Sequence, residues 1–282
     1  MKTGPFDLGG KVAIVTGGNG GIGLGMARGL AQAGAGIAVV GRNEAKSAAA
    51  AADLGAMGVR AIAVTTDVTD KAAVDAMVER TLREFGRIDI LINNAGINTA
   101  LLRREGQPIG KIWETSPQEF RRIVEVNIVA TFLMTRAVVP SLLAQRWGRI
   151  INVTTSLDTM WRTMMQPYGG SKAANEAILT AMAFELEGSG VTANVLVPGG
   201  AVDTRLVSKT MMPDRSKLIK AEVMIAPLVW LCSNAADGVN GQRFIAMRWD
   251  DKLPPAEAAK HAGAPMAWQQ LGLQGVHPDA MR

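Results

Sequence analysis

Seven short apolar runs punctuate this chain, at 12–16, 36–40, 61–65, 88–92, 149–154, 192–197 and 243–247. Most are near-continuous Val, Ile, Leu and Ala. A strand with one wet face alternates apolar and polar residues. A strand covered on both faces does not, and that is the state of a parallel sheet between two helical layers. Helical periods fill the intervals. Residues 70–85 set Val74, Met77, Val78, Thr81, Leu82 and Phe85 on one stripe. Strands that alternate with helices in this way predict an α/β doubly wound sheet with right-handed crossovers. No repeat, low-complexity linker or composition shift appears before residue 247, so 1–247 reads as a single domain.

Ser116-Pro117-Gln118-Glu119 is a helix start: a Ser cap, Pro in the first position and Glu in the third. The spacing predicts a helix over 117–143, with Pro140 kinking it or ending it early. The remainder, 248–282, is rich in Ala, Pro and Gly and carries Trp249 and Trp268. It reads as a C-terminal extension that packs on the domain or on a neighbouring subunit, with a short helix opened by Pro254-Pro255 and running to His261.

Scarce residues narrow the chemistry. The chain has 1 Cys, 2 His and 1 Tyr. Cys232 alone makes no internal disulfide, which suits a reducing compartment. His261 and His277 both lie in the extension, so the first 260 residues contain no imidazole for a triad. No metal site is expected. The net charge of +5 is scattered rather than gathered into a basic arm, so nucleic acid is not expected as a partner. No run of about 18 uninterrupted apolar residues occurs, so no membrane span is expected. The N-terminus has no signal-peptide plan, and a cytoplasmic protein is the expectation.

The first run is followed by Thr16-Gly17-Gly18-Asn19-Gly20-Gly21-Ile22-Gly23 and then an Ala/Leu-rich helical segment. A glycine-rich turn between a strand and a helix N-terminus lets backbone N–H groups approach a pyrophosphate, and the helix dipole favours its charge. A tight turn with no ligand is the plainer alternative.

Further motifs follow in order. Asn93-Asn94-Ala95-Gly96 comes after the fourth run, Tyr168-Gly169-Gly170-Ser171-Lys172 opens a helix after Pro167, and Pro198-Gly199 comes after the sixth run. With the glycine turn, these resemble the TGxxxGxG, NNAG, YxxxK and PG motifs of the short-chain dehydrogenases/reductases. The resemblance covers residues 8 to about 245. It implies a Rossmann-type domain with a seven-stranded parallel sheet and a nicotinamide cofactor. It assigns cofactor contacts to Gly17, Asn19, Gly21, Ile22, Gly23, Asp67, Val68, Asn94, Ala95, Gly96, Tyr168, Lys172, Pro198, Gly199, Val202 and Thr204. The last two are approximate matches, because the segment after Pro198 is one residue longer than the common pattern.

In such folds an acid at the end of the second strand holds the ribose 2′-OH of NAD, and an Arg nearby accommodates the 2′-phosphate of NADP. Here the strand ends Val40-Gly41-Arg42-Asn43. Arg42 favours NADP(H) over NAD(H).

Tyr168 and Lys172 stand one helical turn apart on one face. A nearby ammonium favours phenolate, so Tyr168 can exchange a proton with a substrate hydroxyl or carbonyl. The resemblance also implies a Ser that polarises the substrate carbonyl. In Ile151-Asn152-Val153-Thr154-Thr155-Ser156, register points to Thr155 and residue type to Ser156, and both stay open. Asn127 matches the helix Asn that supports a proton relay from Lys172.

The segment from Ile97 to Glu114 is longer than the family usually has and carries Leu101, Leu102, Arg103, Arg104, Lys111 and Trp113. It leaves the sheet at its ligand-binding edge and reads as a lid, with the Arg pair more at home in solvent than on an anionic substrate. Met160, Trp161, Met164 and Met165 suggest an adaptable apolar pocket, extended by Leu206, Met211 and Met212. The family's Asp-Gly-Gly ending is replaced by Met247-Arg248-Trp249-Asp250. The expected function is hydride transfer between NADP(H) and an apolar secondary alcohol or ketone, of 3-oxoacyl reductase or alcohol dehydrogenase type. The expected assembly is a homotetramer or homodimer. The alternative is an NADP(H)-binding regulator or scaffold with little catalysis.

Overall fold

A computed structural model of the chain describes residues 6–103, 110–209 and 212–269. Arg104, Met211 and His277, singled out above, lie outside the described residues, as does the extension beyond 269.

The seven apolar runs form β1 (Val12–Thr16), β2 (Gly36–Gly41), β3 (Ala61–Thr65), β4 (Ile90–Asn93), β5 (Gly148–Val153), β6 (Val191–Val197) and β7 (Gln242–Ile245). All seven pair in parallel, in the order β3-β2-β1-β4-β5-β6-β7. Burial alternates between faces with the strand period of two. Ala13, Val15, Ile37 and Val39 face one core, with Met26, Leu30, Leu54 and Leu228. Ile14, Ala38 and Val40 face the other, with Val74, Met77, Val138 and Leu179. The first core is covered by α1 (Gly21–Gln32) and α2 (Glu44–Ala56). On the other face lies α3 (Lys71–Phe85), capped by the Asp70 carboxylate and ended by Gly86.

The sheet differs from the expected one by an eighth strand. Beyond β7 the extension forms an antiparallel strand, β8 (Gly263–Pro265), with Phe244 opposite Gly263. Three residues that include Gly and Pro carry no periodic signal. Pro265 is tolerated because β8 is the sheet edge, where a missing donor faces no partner strand.

The predicted long helix is present but is not ended by its proline. It comprises α4 (Pro117–Val124), a π-helical turn (Glu125–Val129) and α5 (Ala130–Gln145). Ser116 Oγ accepts from Glu119 N at 3.1 Å, and Ser116 N donates to Glu119 Oε2 at 2.9 Å, which is the predicted capping box. Pro140 lies on the exposed side of α5, while Val138 and Leu142 flank it fully buried. Their burial on the sheet holds the axis where one hydrogen bond is missing. The irregularity falls instead at the π-turn, which contains Asn127. Pro117–Gln145 is long and apolar enough, at 29 residues, to cross a membrane. In this fold its apolar side, from Ile123 through Val126, Ala130 and Met134, is core.

Three short helices and one long one complete the chain: α6 (Leu157–Trp161), α7 (Tyr168–Glu185), α8 (Ile225–Leu231) and α9 (Pro255–Ala262). The extension folds back on the domain. Trp249 meets Trp230 of α8 with ring centroids 5.4 Å apart, and Met266 is fully buried. His261 is exposed on α9.

Candidate active site

The strand order reverses between β1 and β4, and the crevice outside their carboxyl ends is where ligands bind in open α/β sheets. The predicted cofactor residues gather along that edge. Gly17 has φ +65° and turns the chain out of β1. Only glycine adopts this region without penalty. At Gly23 there is no room for a side chain: a Cβ would meet the Gly17 carbonyl and would stand 2.5 Å from Asn94 Nδ2. The helix therefore starts tight against the turn. Gly20 caps α1 with no side-chain bond, which leaves the first N–H groups of α1 facing the crevice rather than a cap.

Asn94 fastens this turn to β4. Its Nδ2 donates to Thr16 O at 2.9 Å, and Asn94 N and Ala95 N donate to Thr16 Oγ1 at 2.9 and 3.0 Å. The Asn94 amide thus holds the cradle's backbone. Asn19 Nδ2 donates to Ser47 Oγ of α2 at 2.9 Å, beside the end of β2. There Arg42 is exposed. Asp67, after β3, accepts from Thr69 N and Oγ1 at 3.0 and 2.7 Å. Partial burial pushes its carboxyl up, but the Thr69 bonds and the positive charges of Arg122 and Arg42 outweigh this and hold it below the usual range. Val68 is buried beside Thr16 and Ala95, and Ile22 is half-buried.

On the other side of the crevice, Pro198 and Gly199 leave β6, and Gly199 has φ +102°. Val202 is buried and bridges Ile219 in parallel. Thr204 reaches across to the glycine turn, with its Cγ2 3.0 Å from where a Cβ on Gly21 would lie. Thus the approximate match at Thr204 sits over the cradle.

The second cluster lies at the ends of β5 and β4. Tyr168 begins α7, and the Thr155 side chain lies beside its phenol, where it acts to lower the phenol's pKa. Ser156 is engaged elsewhere: it precedes the first turn of α6, and its Oγ lies 2.8 Å from Thr159 Oγ1. Of the two candidate hydroxyls, then, the one chosen by register meets the tyrosine. Lys172, one turn along α7, is buried and donates from Nζ to Val153 O at 2.8 Å. Asn127 is fully buried and holds Ile97 from both sides, accepting from its N and donating to its O at 2.9 Å each. Its Nδ2 also donates to Ser171 Oγ at 2.9 Å. Gly96 lets these groups converge. A Cβ there would stand 3.3 Å from both Asn127 Oδ1 and Lys172 Nζ.

Burial sets the electrostatics. It pulls the Lys172 ammonium down to about 8. It pushes the Tyr168 phenol up to about 12, against the neighbouring Thr155 side chain, which acts in the opposite direction.

The rim departs from expectation in two ways. Arg103 is no solvated surface charge: its Nε donates to Glu119 Oε1 at 2.7 Å, and this bond is the main reason the Glu119 carboxyl falls to about 2. The loop is thereby pinned to the capping box of α4. Met160 is core, at 5% exposure, so the apolar rim is formed by Trp161 and Met164, with Leu101 and Trp113 exposed on the loop. Asn98 Nδ2 donates to Leu206 O at 2.8 Å and ties that loop to the segment after β6.

Sequence reasoning passed over two polar groups below the site. Glu176 of α7 and Arg243 of β7 are both buried, and Arg243 Nε donates to Glu176 Oε1 at 3.0 Å. A charged residue inside an apolar strand run was the available signal.

Comparison with known proteins agrees with this geometry. The family model described as short chain dehydrogenase matches residues 11–214. The 2-dehydro-3-deoxy-D-gluconate 5-dehydrogenase of Escherichia coli is 33% identical over 247 residues, which cover 84% of this chain and 93% of that protein. The D-beta-hydroxybutyrate dehydrogenase of Cupriavidus necator is 34% identical over 202 residues, 72% of this chain and 74% of that protein. Among solved structures, the 3-ketoacyl-(acyl-carrier-protein) reductase of Brucella melitensis complexed with NADH superposes with a TM-score of 0.73 at 33% identity, over 83% of this chain and 95% of that one. A glycine cradle at the switch point, a Tyr and a Lys one turn apart beside it, and matches of this extent identify the chain as a member of the short chain dehydrogenase family, an NAD(P)-dependent oxidoreductase acting on CH–OH and C=O groups.

Proposed function

We propose that this chain interconverts an apolar secondary alcohol and its ketone, with NADP(H) preferred over NAD(H). The contact between the Thr155 side chain and the Tyr168 phenol, with Lys172 one turn along, carries this reading. It gives one point at which a substrate oxygen meets two hydroxyls. Thr155 donates to the oxygen and holds it, and Tyr168 gives or takes its proton. Lys172 would supply positive charge one turn from the phenol, in the direction that favours phenolate. Asn127 keeps the Ile97 backbone and the π-turn closed around Lys172. A nicotinamide cofactor, when bound, supplies or accepts the hydride. Its pyrophosphate would lie on the turn from Gly17 through Gly21 and Ile22 to Gly23, with Asn19 and Arg42 toward the adenosine ribose. Asp67 and Val68 would border the adenine. Asn94, Ala95, Gly96, Pro198, Gly199, Val202, Thr204 and Lys172 would enclose the nicotinamide half.

Arg42 is the sole basis of the NADP(H) preference. Replacing it with Ala is expected to weaken NADPH binding roughly 10- to 100-fold, the value of a charged hydrogen bond, and to leave NADH binding within about twofold. Fluorescence titration with both nucleotides reads this directly. Equal losses for the two would remove the preference.

The apolar rim of Leu101, Trp113, Trp161 and Met164 favours an apolar substrate. NADPH consumption should be followed over a panel of 3-oxoacyl thioesters, aryl ketones and cyclic ketones. At least one is expected to turn over, and Thr155→Val is expected to slow it about 100-fold. Tight NADPH binding with no turnover across the panel would favour the regulatory alternative. Exposed Phe132 on α5 and Ile178 and Phe184 on α7 support assembly with further copies, as a homotetramer or homodimer. A cytoplasmic setting and a small-molecule substrate complete the reading.

A further inference from the structure

Behind Thr155 lies a charged pair sealed from solvent. Glu176 is fully buried, and Arg243 is 4% exposed. Every polar contact of the pair is directed. Arg243 Nε donates to Glu176 Oε1 at 3.0 Å, and Arg243 Nη2 donates to the carbonyl of Thr155 at 2.8 Å. Glu176 Oε2 accepts from Thr154 Oγ1 at 3.1 Å, and its Oε1 also accepts from Ala267 N at 3.3 Å. The extension thus closes the far side of the carboxylate, with Met266 fully buried next to it.

A buried ion pair is weak evidence for stability, because desolvation offsets most of the attraction. Its geometry is the informative part. β5 ends at Val153, so Thr154 and Thr155 have no strand partner to fix them. The pair grips both, Thr154 by its hydroxyl and Thr155 by its carbonyl. Arg243 can do this because its guanidinium offers several donors in a rigid fork, one branch for the carboxylate and another for the carbonyl.

We propose that Glu176 and Arg243 are positioning residues that hold Thr155 so that its hydroxyl meets Tyr168, a role that rests on the assignment of Thr155 above. The pair touches neither reacting atom. It acts through the backbone of the residue that does.

The chain contains 1 Tyr, so protein labelled with 13C at the tyrosine Cζ gives one resonance, from Tyr168, at neutral pH and without substrate. Three variants are compared with the wild type. Thr155→Val removes the hydroxyl and marks the position of the free phenol. Arg243→Lys keeps a cation for Glu176 but cannot serve carboxylate and carbonyl together. Glu176→Gln/Arg243→Met removes both charges at once, so no lone ion is left buried, as one would be after a single deletion. The expected result is that Arg243→Lys and the double variant move the Tyr168 resonance to the Thr155→Val position, and that adding Thr155→Val to either moves it no further. NADPH affinity, set mainly by the glycine turn and Arg42 at the far end of the crevice, is expected to stay within twofold. If Thr155→Val moves the resonance while both pair variants leave it at the wild-type position, the positioning role is overturned and the Thr155 assignment stands. If Thr155→Val itself leaves the resonance unmoved, the assignment falls and the positioning role falls with it.

Discussion

Tyr168→Phe is expected to lower turnover by about three orders of magnitude, within the range for loss of a general acid/base, while NADPH still binds. The substitution keeps the ring that opens α7 and removes only the hydroxyl. No other tyrosine exists in the chain to take over the proton. The neighbouring Thr155 hydroxyl cannot, because its proton is far less acidic than a phenol's. Stability should change little, because only a hydroxyl is removed and the desolvation of a polar group is relieved. The measurements are steady-state turnover, thermal unfolding and nucleotide affinity on the same preparation. Turnover retained within tenfold would sink the assignment of Tyr168 as the proton carrier.

Lys172→Met is expected to abolish turnover to a similar degree and, in the absence of nucleotide, to make the protein more stable at pH 7. Burial pulls the Lys172 ammonium from 10.5 to about 8. Below pH 8 both the folded and the unfolded chain carry the proton, and the folded one does so at a cost of roughly 3 kcal/mol. The bond from Nζ to Val153 O offsets about 1 kcal/mol of whatever its removal gains. Between pH 8 and 10.5 the unfolded chain binds more protons than the folded one, so wild-type stability rises with pH across that window. Met carries no such charge and has no such rise. The variant's advantage is therefore widest below pH 8, at about 1–2 kcal/mol, and closes toward pH 10.5. Above pH 10 the Tyr168 phenol, raised to about 12, retains a proton that the unfolded chain has released. That lowers the stability of both proteins as pH rises and cancels in their difference. Urea unfolding at pH 7 and pH 10 tests the sign. A Met variant less stable than wild type at pH 7, or a gap that widens with pH, would be incompatible with a buried charge at Lys172.

A stabilising change that removes activity is the pattern expected of a site that holds strain for function. Lys172 has no carboxylate partner in the described contacts, and only a carbonyl accepts from it. The fold tolerates that cost because the surrounding core is extensive on both faces of the sheet.

The seven parallel strands were legible because all but the half-buried edge strand β3 are largely buried on both faces, and burial is written as composition. The glycine turn was legible because close backbone approach admits no side chain at Gly23, whatever the rest of the chain does. The start of α4 was legible because a capping box is local: Ser116 and Glu119 satisfy each other within one turn. The choice between Thr155 and Ser156 was only half legible, because register pointed to Thr155 and residue type to Ser156. Both residues offer a hydroxyl, and the path of the loop into α6 decides which of them turns to Thr159 and which lies beside Tyr168. The long helix ends at Gln145, close to the expected 143, and runs through Pro140, because packing of Val138 and Leu142 on the sheet outweighs one missing hydrogen bond. Arg103 read as a surface charge until α4 supplied Glu119.

By itself, then, the sequence determined the layered α/β architecture, the dinucleotide cradle and the Tyr168–Lys172 pairing. All three rest on local spacing or on burial that composition records. Tertiary structure decided which hydroxyl lies beside Tyr168, the eighth strand from the extension, and the meeting of Glu176 with Arg243 across 67 positions of chain. Such contacts depend on where the sheet brings distant segments together, and no short-range pattern encodes them.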